Sequence, residues 1–192
     1  MYDTLILNSD AKPLTHIPLS VIPWQDAIKL FFLGKINIIA EYDDWVIRSQ
    51  KLEIKVPSVA IMKEQVNWNK TVRYNRNNVY LRDSFTCQLQ LTNRCRSLKG
   101  HVKISDLTLD HMIPKSQGGK TTWTNVSTSC HDCNCIKGDD TSIFPLRKPY
   151  RPNYYEMLSK RKTFPVQIRD RIWAYYIDWP EDLIIMTTKN KA

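Results

Sequence analysis

Hydrophobic positions along this chain come in short blocks separated by polar turns, and their spacing changes from segment to segment. In the first 60 residues, Leu5-Ile6-Leu7 reads as an apolar strand and Asn8-Ser9-Asp10 as a turn. Ile17 to Ile22 reads as extended and Pro-flanked. Pro23 suits a first helical position, and Trp24 to Leu33 predicts a helix with Ala27, Ile28, Phe31 and Phe32 as its apolar stripe and Gly34 as its stop. Ile36 to Ala40 and Trp45 to Arg48 predict strands around a Tyr42-Asp43-Asp44 turn, with Leu52 to Val56 as a third. Ser58 to Val66 predicts a helix. The pattern describes a small α/β domain over residues 1–66 that scaffolds or grips a partner.

The second block centres on Thr108-Leu109, a short strand ending at Asp110-His111. Pro114 constrains the next turn, Gly118-Gly119 makes a loop, and Lys120-Thr121-Thr122 starts a returning strand. Trp123 to Val126 suits a helical turn. A helix then begins near Cys130 and ends at Lys137, before Gly138. Two antiparallel strands and a helix make a ββα unit within residues 67–140. Residues 141–192 begin with an extended, basic Pro-rich stretch, Pro145 to Pro152, followed by a helix from Val166 to Ile177 with Ile168, Ile172, Trp173 and Tyr176 at core spacing. The fold class is α+β: a ββα core, a small N-terminal α/β domain and a C-terminal helical extension.

Composition changes this picture in three ways. No apolar run reaches the roughly 18 residues of a membrane span, and the N-terminus lacks the basic and apolar regions of a signal peptide, so a cytoplasmic protein without a membrane partner is expected. The net charge of +9 favours a polyanionic partner. Between Lys70 and Lys103 eight basic residues stand against the single acid Asp83, which makes Arg73, Arg76, Arg82, Arg94 and Arg96 candidate phosphate contacts, with Lys115 and Lys137 beside the ββα unit. The five cysteines all lie between Cys87 and Cys135. An odd number clustered in one segment argues for a metal site with one thiol left over rather than for a disulfide scaffold.

Cys130-x-x-Cys133 has the spacing of half a tetrahedral thiolate site. Cys87 and Cys95 are the available second half, with Gln90 where a Cys-x-x-Cys pair would place its second sulfur. His101 or Cys135 in place of one of them, or no zinc at all, are the alternatives. Four protein ligands make such a zinc structural. The chemistry between these cysteines needs a hard oxygen ligand, a base and a rigid loop. Asp110 and Asn134 offer oxygens to Mg²⁺ or Mn²⁺. His111 is a base that titrates near neutrality, and Asn125 can tie the loop together.

The stretch Arg82 to Gln88, then Leu107 to Val126, then Cys130-His-Asp-Cys-Asn134 and Lys137-Gly138, resembles the HNH endonuclease family with its ββα-metal fold. The first 60 residues are similar, less specifically, to the leader region of bacterial and phage HNH proteins. The resemblance implies that His111 is the general base, Asp110 and Asn134 hold the catalytic metal, Asn125 is the middle asparagine, and Cys87, Cys130 and Cys133 bind zinc. The family's remaining zinc cysteine has no counterpart at Gln90. It also implies double-stranded DNA as the substrate and a product carrying a 5′ phosphate. One such centre cuts one strand, so a monomer nicks and a double-strand break needs a homodimer or two events. The rival readings are a zinc-containing nucleic-acid-binding module that does not cut, and an accessory to phage packaging proteins.

Overall fold

The structure, a computed structural model, describes residues 3–48, 53–67, 70–93, 95, 97 and 103–187. In chain order the elements are β1 (Asp3–Leu7), β2 (Val21–Pro23), α1 (Trp24–Phe32), β3 (Ile36–Arg48), β4 (Glu53–Met62), α2 (Arg76–Arg82), β5 (Leu107–His111), β6 (Val126–Cys130), α3 (His131–Lys137), α4 (Tyr154–Arg161), β7 (Val166–Ile168), α5 (Ala174–Ile177) and β8 (Ile184–Met186). They divide into two compact units, residues 1–70 together with 162–192, and residues 71–161. The expected boundary at 66/67 lies near this first break. The expected C-terminal extension over 141–192 does not exist as one piece, because it is shared between the units.

In the first unit a four-stranded sheet has the order β2-β1-β4-β3, with β1 parallel to β4 and the other pairs antiparallel. Ile6 of β1 and Ala60 of β4 pack with Ala27 and Ile36 on the α1 side. Leu5, Leu7 and Val59 pack with Val166, Ile168, Trp173, Ile177 and Trp179 on the other side. Both faces of the central strands are therefore covered, which is why Leu5–Leu7 of β1 and Val59–Met62 of β4 read as continuous apolar runs instead of alternating ones.

That two-sided burial also explains the departures from the sequence pattern. Ser58 to Val66, expected to be helical, continues β4 as far as Met62, because a short apolar run fits either period until its partner is known. The two strands expected around Tyr42 are one strand, β3. Between the pairs Glu41–Pro57 and Val46–Lys55 it bulges away from β4, and the buried Tyr42 donates its phenolic hydrogen to the Asp3 carbonyl at 2.7 Å. Part of the third expected strand, Leu52, lies outside the described residues. The helix expected over Val166–Ile177 is broken up. Val166–Ile168 pairs in parallel with Ile184–Met186, and Asp170 then accepts a bond from the Ile172 N–H and starts a 3₁₀ turn, Arg171–Trp173, leading into α5. Val166 and Ile168 alternate with the exposed Gln167, a strand period that the helical spacing of the later residues masked.

In the second unit β5 and β6 are antiparallel neighbours with Asp110 opposite Ser127 and Leu107 opposite Cys130, and α3 follows β6 directly. The β-β-α order agrees with the sequence pattern, but the returning strand is Val126–Cys130, not Lys120–Thr122. Where a helical turn is expected over Trp123–Val126, residues 122–125 form a turn closed by the Asn125 N–H to Thr122 carbonyl bond, and Val126 already belongs to β6. Helix α2 went unforeseen. Asn75 caps it by accepting from the Asn78 N–H at 2.8 Å, a signal hidden in an Asn-rich stretch. None of the described helices is long and apolar enough to cross a membrane.

Trp173 tests the two-sided core. Its ring is 1% exposed and its indole N–H reaches both the carbonyl and the hydroxyl of Ser58, at 3.0 and 2.9 Å. Trp173→Ala is expected to destabilise the first unit by about 3–5 kcal/mol, measured as a lowered denaturant midpoint for that unit. A cost below about 1 kcal/mol would show that residues 162–192 do not build this core.

Candidate metal centre and catalytic site

Four cysteines converge where α2, β6 and α3 end or begin. Cys130 is the last residue of β6, Cys133 sits in the first turn of α3, and Cys87 and Cys95 come from the loop after α2. All four are buried, and their sulfurs lie within 4.8 Å of one another. The Cys130 and Cys95 sulfurs are 3.9 Å apart, close to the ~3.8 Å edge of a tetrahedron with zinc–sulfur bonds of about 2.3 Å. Of the alternatives left by the sequence, Cys135 is exposed on α3, and His101 lies outside the described residues.

Gln90 takes no part as a ligand. It stands instead in a left-handed turn (φ 48°) that aims backbone N–H groups at the cluster. From this turn the N–H groups of Leu89 and Gln90 bond the Cys87 sulfur, joined by that of Cys130 at the end of β6, and the Leu91 N–H bonds the Cys133 sulfur at 3.3 Å. Amides aimed at sulfur favour thiolates. Burial nevertheless pushes the Cys87 thiol up and that of Cys133 to about 12. Burial also acts upward on Cys130, but bonds from the Cys133 N–H and from neighbouring thiols outweigh it and lower that group. The donor set fits a soft, four-coordinate ion such as zinc.

The second constellation lies between β5 and α3. Asp110 is 3% exposed, and its Oδ1 is 3.0 Å from the Lys137 ammonium. Lys137, itself 2% exposed, also donates to the His111 carbonyl at 2.9 Å. Burial raises the Asp110 carboxyl above the usual range, with Lys137 and His111 pulling the other way. Its Oδ2 is buried without a hydrogen-bond partner, as is the Oγ of Ser127 across the strand pair. The His111 ring is half-buried, with Nε2 2.9 Å from the Thr121 hydroxyl. Burial lowers its affinity for a proton, and the charges of Lys115 and Lys137 lower it further against the pull of Asp110. Asn134, half-buried, stands three residues before Lys137 on α3 and so shares its face of the helix.

Asn125 ties the loop between the strands. Its Oδ1 accepts from the Ile113 N–H at 2.9 Å, and its Nδ2 donates to the carbonyls of Ile113 and Lys120 at 3.1 and 3.0 Å. Gly118 takes a left-handed φ of 83°. Gly119 has no room for a side chain, since a Cβ there would lie 1.7 Å from the Ile113 carbonyl oxygen. The glycine pair thus makes a tight turn rather than a loose loop.

Two cations expected to meet phosphate do not face solvent. Lys137 is turned into the Asp110 site. Arg82 is 1% exposed and uses all five of its N–H groups internally, bidentate to Asp83 at 2.8 and 2.9 Å and onto the carbonyls of Trp123, Val126 and Tyr150. The rings of Trp123 and Tyr150 cover it at 5.7 and 5.6 Å. Arg73, Arg76 and Lys115 are exposed, and Arg94 and Arg96 lie outside the described residues. The sequence reading missed Thr121, Ser127 and the inward turn of Lys137. Only the last left a signal: four residues after the buried Cys133 on one helix face, Lys137 had to point inward as well.

Residues 4–70 match the family described as the HNH endonuclease-associated N-terminal domain, and residues 94–144 match the family described as HNH endonuclease. These two matches indicate membership in the broader HNH endonuclease superfamily, and the buried four-cysteine cluster is consistent with an HNH-like core able to hold a metal ion. No curated protein and no solved structure matches it significantly.

The cysteine geometry predicts one zinc per chain, lost in Cys95→Ser and kept in Cys135→Ser, as read by elemental analysis of purified protein. Because burial keeps the Cys87 and Cys133 thiols protonated when no metal is bound, zinc must displace protons, so its apparent affinity rises with pH. Competition with a chromophoric chelator at about pH 6 and about pH 8 measures this slope. A flat profile would contradict thiol ligation.

Proposed function

We propose that this protein is a metal-dependent endonuclease of the ββα-metal type that hydrolyses DNA phosphodiester bonds one strand at a time. The observation that carries the reading is the Asp110 carboxylate, buried, anchored on one oxygen and unpartnered on the other, one residue before a half-buried imidazole. A hard divalent cation such as Mg²⁺ or Mn²⁺ fits that bare oxygen, with the Asn134 amide oxygen as its partner on α3. When bound, such an ion supplies charge to hold the scissile phosphate and stabilise the leaving oxygen.

The chain's own residues do the rest. His111 takes a proton from the attacking water on the ring nitrogen not engaged by Thr121, which holds the ring plane. Its lowered proton affinity keeps it in the basic form at neutral pH. Asp110 and His111 are consecutive residues at the end of β5, so a metal ligand and a base are offered within one residue of each other. Asn125 fixes the start and the return of the loop after His111 through three bonds, so the base stands on rigid backbone. Expulsion of the 3′ oxygen leaves a 5′ phosphate. The exposed Arg73, Arg76 and Lys115 are suited to backbone contact, which positions DNA without specifying sequence.

The test is cleavage of supercoiled plasmid by zinc-loaded protein with Mg²⁺, with Mn²⁺ and with neither. Open circles are expected only with added metal, and His111→Ala is expected to slow their formation about 10²–10⁴-fold while leaving DNA binding intact. A folded, DNA-binding wild-type protein that leaves the plasmid supercoiled under both metals would overturn the reading.

A further inference from the structure

We infer that Lys137 is a positioning residue: it holds the Asp110 carboxylate by one oxygen so that the other alone is presented to a divalent cation, and its charge keeps that cation weakly bound. This rests on the metal-dependent reading above and adds a role for a residue outside the ligand set.

The geometry is specific. An ammonium has three donors, and two of those on Lys137 go to consecutive residues of β5, the Asp110 side chain at 3.0 Å and the His111 carbonyl at 2.9 Å. One buried side chain thus fixes the carboxylate against the backbone of the adjacent base. If its role were only to neutralise a buried acid, both carboxylate oxygens should be satisfied, since an unpartnered buried oxygen is costly. Instead Oδ2 is left bare, and so is the Oγ of Ser127, its cross-strand neighbour on the same face of β5 and β6. A carboxylate and a hydroxyl side by side, unpaired with each other or with the chain, suit a hydrated cation: one oxygen to bind it, the other to accept from or donate to its water.

A clamp of this kind has two opposed effects. It fixes the ligand oxygen, which helps turnover, because small misplacements cost rate. It also places a positive charge beside the carboxylate that binds the cation, which weakens binding by like-charge repulsion. A strut with only a structural role would move both quantities the same way when removed. The clamp predicts that they part.

The experiment compares wild type, Lys137→Met and Asp110→Ala, all zinc-loaded. Free Mn²⁺ is titrated by electron paramagnetic resonance, and single-turnover nicking is followed at saturating Mn²⁺. Lys137→Met is expected to bind Mn²⁺ about tenfold more tightly and to nick at least about tenfold more slowly, while Asp110→Ala loses the Mn²⁺ site. If Lys137→Met does not retain zinc, Lys137→Gln replaces it with the same expectations, since its amide can still donate to the His111 carbonyl. Equal or weaker Mn²⁺ binding in the folded variant overturns the clamp alone. Failure of both variants to fold assigns Lys137 to structure and also overturns it. A wild-type protein that binds no Mn²⁺, or binds it equally after Asp110→Ala, overturns the metal reading beneath it.

Discussion

The second unit is organised around a guanidinium that never meets water. Arg82 closes α2, and its five N–H groups reach Asp83, the two ends of the Trp123–Val126 turn and the Pro-rich segment at Tyr150. Asp83 passes the connection on by accepting the Thr128 N–H at 2.8 Å in the middle of β6. A cation buried this deeply is tolerable only with every donor satisfied, and removing one partner of such a pair costs about 3–5 kcal/mol. Through this hub the position of β6 is set, and β6 reaches both candidate sites. Cys130 ends it at the cysteine cluster, and Ser127 stands opposite Asp110.

Arg82 and Lys137, both buried in this unit, illustrate different solutions to one problem. Arg82 is paired with a carboxylate on both oxygens, and its flat faces are covered by Trp123 and Tyr150. Nothing in that network is left unsatisfied, which suits a residue that only holds structure. Lys137 pairs with a single oxygen and leaves the second bare. In a folded protein an incompletely satisfied buried charge marks a place where stability has been set aside for binding. Each interior cation is matched by a buried carboxylate, Arg82 by Asp83 and Lys137 by Asp110, so the interior charges cancel and the net charge of +9 belongs to the rest of the chain.

The candidate site is more legible in the sequence than the architecture. Cys130-x-x-Cys133, Asp110-His111 and Asn125 stand out as candidates because liganding and acid–base chemistry demand particular atoms at short spacing. Their neighbours in space also lie within a few dozen residues. The four cysteines singled out by spacing are the four that converge. What stayed hidden was everything decided at long range. Ser58 to Met62 could be assigned to a strand only once its parallel partner β1 and the covering Trp173 were known. Val166 to Ile168 needed a partner sixteen or more residues on. Arg82 and Lys137 looked like surface cations because a basic residue in a basic stretch reads as solvated, while the carbonyls and carboxylates that bury them come from residues as distant as Tyr150 and Asp110.

The way the chain threads its units has a consequence for how it is made. Residues 71–161 interrupt the first unit, and the second covering layer of its sheet, with Val166, Ile168, Trp173, Ile177 and Trp179, is encoded after that insertion. Domains emerging from a ribosome ordinarily finish in the order they are synthesised. Here the order is inverted. The inner unit has both strands, its arginine hub and all four sulfurs in hand while one face of the first sheet is still uncovered. A sheet that folds in the order of synthesis leaves Leu5, Leu7 and Val59 without this cover until residues 166–179 have been made.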